Sequence, residues 1–200
     1  MIFSLAILAI VLAYTWVIDP IAPGWVVSIP VALVIGLAIW HAFRSGDWGV
    51  KPAAFFPALR LSAALTVTAA GGIALAGSRL GTWHERRDAW TSVAALIVWG
   101  FGQQFALHTV FLSEAQATVG RHAGIVVAAV LFAALHLPNP FLTAMTLAGA
   151  LAWCWIYDRH PNLLPLAFSH ALLTLAILYA FSDAMTGHLR VGVGYLSLHR

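Results

Sequence analysis

Three apolar stretches of this chain each carry a histidine accompanied by an amide or a hydroxyl. In Trp99-Gly100-Phe101-Gly102-Gln103-Gln104-Phe105-Ala106-Leu107-His108, two adjacent amides sit near the middle of the run. His108 follows Gln104 by four residues, one helical turn further along the same face. A second stretch ends Phe132-Ala133-Ala134-Leu135-His136, with Asn139 close behind. The third contains Ser169-His170-Ala171-Leu172-Leu173-Thr174, where the spacing puts His170 and Thr174 on one face. Imidazoles exchange protons near neutral pH, and amides both donate and accept hydrogen bonds. A lone Gln, Ser or Thr in an apolar helix commonly just bonds a neighbouring helix. Two adjacent amides point in different directions and imply partners on two sides, and three histidines in three separate runs imply a shared polar site.

The elements that must position these residues are set by composition. The chain has 200 residues, of which 62% are hydrophobic and 8% charged, and the formal net charge is +3. Mean hydropathy is +0.89. Soluble domains carry about a quarter charged residues, so these values exclude a cytosolic enzyme and a disordered chain. The single cysteine, Cys154, cannot form an internal bridge, which excludes a disulfide-built module. So few basic residues, spread along the whole chain, do not make a nucleic-acid surface.

Apolar runs bounded by charge, Pro or Gly fall near 2–18, 25–43, 55–77, 89–112, 123–137, 141–157 and 163–183. The expected fold is an all-α, polytopic transmembrane bundle of about seven spans forming one domain over 1–200. Its parts are N-terminal spans in 1–88, a core in 89–183 and a short tail in 184–200, the tail lying along the membrane interface. The first run, followed by Asp19-Pro20, reads as a retained helix and not a removable signal peptide. The cluster His84-Glu85-Arg86-Arg87-Asp88, flanked by Trp83 and Trp90, reads as an interfacial knot of mutually neutralising charges.

Depth decides which polar residues can meet. With about 1.5 Å rise per residue and each span centred on the bilayer, Gln103, Gln104, His170 and Thr174 fall within about 5 Å of the midplane. His108 lies about 10 Å towards one end and His136 about 9 Å towards the other. A metal site made of all three imidazoles is therefore not expected, because nitrogen ligands must lie about 2.1 Å from one ion. His136 joins the midplane group only if the short fifth span is tilted, shifted or does not cross fully. Glu114, about 16 Å from Gln103, reads as an interfacial residue pairing with Arg121 or water.

The order and spacing of these residues resemble the CPBP family, the CAAX prenyl endopeptidases and bacteriocin-processing membrane proteins also called Abi proteins. The family signature is Glu-Glu-x-x-x-Arg, then Phe-x-x-x-His, then His-x-x-x-Asn or Asp, in separate helices. The second motif is intact here as Phe132 to His136, with the Leu137 to Pro140 continuation typical of members. The third keeps His170 but has Thr174 at the Asn/Asp position, while Gln103, Gln104 and His108 stand where the first motif has Glu, Glu and Arg. The resemblance covers about residues 95–183, including the Leu-Pro-x-x-x-x-His run of Leu164 to His170. It implies His136, His170, Gln103 and Gln104 at the positions of the catalytic group, with His108, Asn139 and Thr174 as binding residues and no metal or other cofactor expected.

In the family the first glutamate, assisted by the two motif histidines, activates a water that attacks a peptide carbonyl. Glutamine accepts no proton at any relevant pH, yet it occupies nearly the same volume and hydrogen-bonds as donor and acceptor. Losing one general base costs about 10²- to 10⁴-fold in rate. Three readings follow. One is a CPBP-like protein without the glutamate-dependent peptidase, binding a membrane protein partner or a prenyl-, quinone- or carotenoid-like lipid. Another is an active peptidase or isoprenoid-processing enzyme with histidine chemistry. The last is a subunit of a membrane complex that uses the Ala- and Gly-rich stretch 63–77 as a packing surface.

Overall fold

The computed structural model describes residues 1–84 and 89–199. Helix α1 (Ile2–Ala13) continues through a π-helical turn, Tyr14–Ile18, and is followed by α2 (Ser28–Ser45) and α3 (Phe55–Leu80). Helix α4 (Ala89–Phe105) runs through a π-helical stretch, Ala106–Leu112, into α5 (Ser113–Val119). Then come α6 (Arg121–Ala134), α7 (Pro140–Arg159), α8 (Leu163–Ala180), and the short α9 (Asp183–Thr186) and α10 (Gly192–Leu196). No strand occurs among the described residues, and the fold is all-α. Among the described residues, five segments are long and apolar enough to cross a membrane: Gly24–Ser45, Pro52–Leu80, Val93–Val119, Pro140–Arg159 and Leu163–Ala180. With the shorter Ile2–Ile18 and Arg121–Ala134 they reproduce the seven apolar runs in order. Residues 85–88 of the charged cluster lie outside the described residues.

Local chemistry sets the boundaries. Pro140 opens α7, where its missing N–H costs nothing, and Asn139 caps it by accepting from Leu142 N at 3.0 Å. Asn162 caps α8 in the same way through Leu164 N. Gly81 closes α3 in the left-handed conformation, φ +65°, which only glycine adopts at little cost.

Packing divides the chain into two halves. Most large buried side chains belong to the C-terminal half, among them Leu107, Phe111, Leu112, Phe132, Leu163 and Leu166. Helices α2 and α3 bury only small residues, such as Ala38, Ala42, Ala58, Ser62 and Thr66, and turn Phe43 and Val67 outward with 78% and 73% exposure. Lipid tails are as apolar as these side chains, so outward exposure carries no penalty and close approach of small residues drives packing instead. Helix α8 packs against both α3 and α4. Part of the 63–77 stretch is thus occupied within the chain: Thr66 lies buried against α8 and Gly77 lies directly on Ala180.

The structure moves several sequence-based expectations. The fourth span does not end near 112 but continues to Val119. Glu114, read as a partner for Arg121, instead accepts from Ser4 N (2.8 Å), Ser4 Oγ (2.7 Å) and Phe3 N (3.2 Å) at the start of α1. It therefore satisfies the free amides of another helix, and its charge does not terminate its own. Arg121 pairs with Asp158 at 2.9 Å, and Gln116 donates to the same carboxylate. The fifth span begins at Arg121 and stops at Ala134, so His136 sits in the turn beyond it. In the tail, α10 packs on the Tyr14–Ile18 turn and Gly192 N donates to the Leu137 carbonyl at 2.8 Å.

Glu114→Ala strips the acceptors from the first turn of α1 and should cost about 1–3 kcal/mol. The expected outcome is a lower unfolding temperature in detergent with faster amide exchange at Phe3 and Ser4, whereas Arg121→Ala leaves those two amides unchanged.

Candidate functional site

The site begins in the wide turn between α4 and α5. A π-helical stretch inserts one extra residue per turn and spaces out the backbone ladder, and such stretches often occur at functional positions. All seven residues of Ala106–Leu112 are buried. Two of their side chains bond carbonyls four residues back: His108 Nδ1 donates to the Gln104 carbonyl at 2.8 Å and Thr109 Oγ1 to that of Phe105 at 2.7 Å. Gln104 is fully buried, while its neighbour Gln103 is half-buried, as two adjacent amides on one helix require.

The Gln104 side chain reaches α8, where its Nε2 donates to His170 Nδ1 at 3.0 Å. The other side of that imidazole is held by α7: the Trp153 indole stacks on it with ring centres 4.7 Å apart and planes within 10°. Trp153 Nε1 donates to Ser169 Oγ at 3.1 Å, and the Ser169 and Thr66 hydroxyls share a hydrogen bond of 2.7 Å. Helices α3, α4, α7 and α8 therefore all take part in fixing His170. One turn further along α7, the Tyr157 ring lies 4.4 Å from that of His108. Trp153 and Tyr157, spaced by four residues, form a two-ring platform under two histidines.

His136 arrives from the other side. Its Nδ1 donates to the Phe132 carbonyl at 3.0 Å, and the Phe132 ring meets it edge-on. Helix α6 is 14 residues long, about 21 Å, and His136 lies in the turn that follows it. Both His136 and His170 keep some accessible surface, whereas His108 is buried. Thr174 lies half-buried one turn beyond His170 on α8. Among the described residues, no group of three His, Cys, Asp or Glu side chains is disposed to hold a metal ion.

Asn139 is committed elsewhere. Besides capping α7, its Nδ2 donates to the Thr186 carbonyl at 2.8 Å and the Arg190 carbonyl at 3.1 Å. Every polar valence of the amide except one acceptor lone pair is used, so this residue ties the tail to the corner that carries His136. Sequence reasoning missed Trp153, Tyr157 and Thr66. A tryptophan six residues from the end of a span looks like an interface anchor, and only the path of α8 shows what lies on its face.

Asn139→Ala removes the α7 cap and both bonds to the tail, a loss of about 1–3 kcal/mol. Limited proteolysis should then cleave within 183–199 at protease levels that leave the parent protein intact, with the rest of the bundle still resistant.

Residues 85–176 match the family model described as type II CAAX prenyl endopeptidase Rce1-like. Neither the comparison with curated proteins nor that with solved structures found a match. The matched segment holds α4 to α7 and most of α8, and with it Gln104, His136 and His170. The chain is thus an integral, multi-pass membrane protein whose segment 85–176 is similar to the Rce1-like type II CAAX prenyl endopeptidases.

Proposed function

We propose that this protein uses the CPBP-type site to bind a membrane-embedded ligand with a long apolar part and one polar end, and that it lacks the glutamate-dependent peptidase activity the family resemblance implies. The observation that carries this reading is Gln104. It occupies the place of a motif glutamate by resemblance, is fully buried, and bonds His170 directly. An amide cannot take the proton of an attacking water.

The described carboxylates are engaged away from these histidines. Asp19 accepts from Tyr14, Asp47 from Gly49 N, Glu114 from α1, and Asp158 from Arg121, while Asp183 lies 3.5 Å from His188. An apolar groove of about 260 Å³ supports the other half of the reading. It runs between α4 and α8, lined by Ile97, Val98, Phe101, Leu164, Ala167 and Phe168. The groove lies between the same two helices, α4 and α8, that carry the Gln104–His170 pair.

Two measurements test the reading. Protein purified in mild detergent should carry co-purifying lipid identifiable by mass spectrometry, and His170→Ala should weaken its retention about tenfold, the equivalent of one net hydrogen bond of about 1.4 kcal/mol. The parent protein should cleave a fluorogenic prenylated peptide no faster than buffer. Cleavage by the parent protein that His136→Ala abolishes would overturn the reading.

A further inference from the structure

Helix α2 buries only Ala38 and Ala42, and its opposite side carries Gly36, Ile39, Trp40, Phe43 and Arg44. These five residues line a groove of about 590 Å³ on the lipid-facing surface. Their spacing orders them in depth. Gly36 lies near the middle of the apolar segment Gly24–Ser45, Trp40 about 6 Å nearer its end and Arg44 about 6 Å beyond that, in the last turn of the helix. A Cβ added at Gly36 would meet nothing within 4 Å, so the deep end of the groove is an open notch. The polar groups of the groove only donate: an indole has one N–H and a guanidinium five, and neither accepts. Trp40 is 61% exposed, and among the described residues no hydrogen bond or ion pair engages its indole N–H or the Arg44 guanidinium. Asp47, the carboxylate nearest to Arg44 along the chain, is occupied in accepting from Gly49 N at 2.9 Å. Hydrocarbon offers an indole N–H no acceptor, so its partner must come with whatever fills the groove. The α4–α8 groove, by contrast, is lined by apolar side chains alone.

We propose that this face of α2 binds one glycerophospholipid, with the phosphate on the Arg44 guanidinium, an ester carbonyl on the Trp40 N–H and an acyl chain laid over Phe43 and Ile39 into the Gly36 notch. The phosphate carries a full negative charge opposite an unpaired cation and offers paired oxygens to the guanidinium fork. The glycerol esters of the same molecule lie on the chain side of its phosphate. The order of acceptors along the lipid therefore matches the order of donors along the helix. A free fatty acid brings a carboxylate for Arg44 but nothing deeper for the indole, and a diacylglycerol does the reverse. The site lies on a different helix from the Gln104–His170 pair and stands independently of what that pair binds.

The test titrates the full-length protein, delipidated in mild detergent, with dioleoyl phosphatidylglycerol and counts bound lipid by native mass spectrometry. The parent protein should hold one molecule about tenfold more tightly than dioleoylglycerol, which keeps the esters and lacks the phosphate. Arg44→Gln should erase that difference. The dialkyl ether analogue of phosphatidylglycerol lacks the carbonyls, so it should bind about threefold more weakly than the ester to the parent protein and equally well to Trp40→Phe. Gly36→Leu, which fills the notch, should weaken all three lipids. These side chains face lipid, so the variants should keep the parent unfolding temperature. His170→Ala should leave phosphatidylglycerol binding unchanged. Unaltered binding of phosphatidylglycerol to Arg44→Gln, or an ester preference that survives Trp40→Phe, overturns the site. Lipid that adds without saturation, and alike in every variant, belongs to the surrounding lipid belt and overturns it equally.

Discussion

Hydrocarbon offers no hydrogen-bond partner, so each polar side chain sunk in this bundle must find its partner on another helix, on its own backbone or in a ligand. That constraint organises the C-terminal half. Gln104 cannot be buried in α4 without something on α8 to receive its amide, and His170 provides it. Trp153 brings an indole N–H into the same layer and needs Ser169, which in turn meets Thr66 of α3. The result is a polar layer that crosses four helices and contains no charged side chain among the residues named. Removing charge avoids the large cost of burying an ion, and the layer keeps directional bonds that an all-apolar core would lack.

The layer also explains why some elements are shaped as they are. In the wide turn at Ala106–Leu112, whose residues are all buried, His108 and Thr109 bond the carbonyls of Gln104 and Phe105. Helix α6 ends at Ala134, and the turn after it carries His136. Asn139 then secures that turn from both directions, capping α7 and holding the tail.

Much of this was legible beforehand. Seven apolar runs in order, the break at Pro138-Asn139-Pro140, and three imidazoles in separate spans all follow from hydropathy, proline chemistry and the cost of polar groups in lipid. The errors came where a local sign was overruled by a distant partner. Glu114 looked like a helix end facing water, but α1 places its first amides there, and an amide-rich helix start is a better partner for a carboxylate than Arg121 across a turn. Nothing in the tail's composition records that Asn139 donates to its Thr186 and Arg190 carbonyls.

The sequence by itself determined the solvent, the helices and the chemical types in the site, because hydropathy and residue identity are local properties. It also determined that Gln103 and Gln104 bring amides, which no fold can turn into a base. Only the tertiary structure decided which face each residue shows and what it meets. The pairing of Gln104 with His170 and the seat of that ring on Trp153 depend on helices far apart in the chain meeting. Spacing along a single helix does not encode that crossing, which is set by the close packing of small residues such as Gly77 on Ala180. The crossing gives His170 the Gln104 amide as its partner, whereas His136 bonds the Phe132 carbonyl four residues back in its own segment.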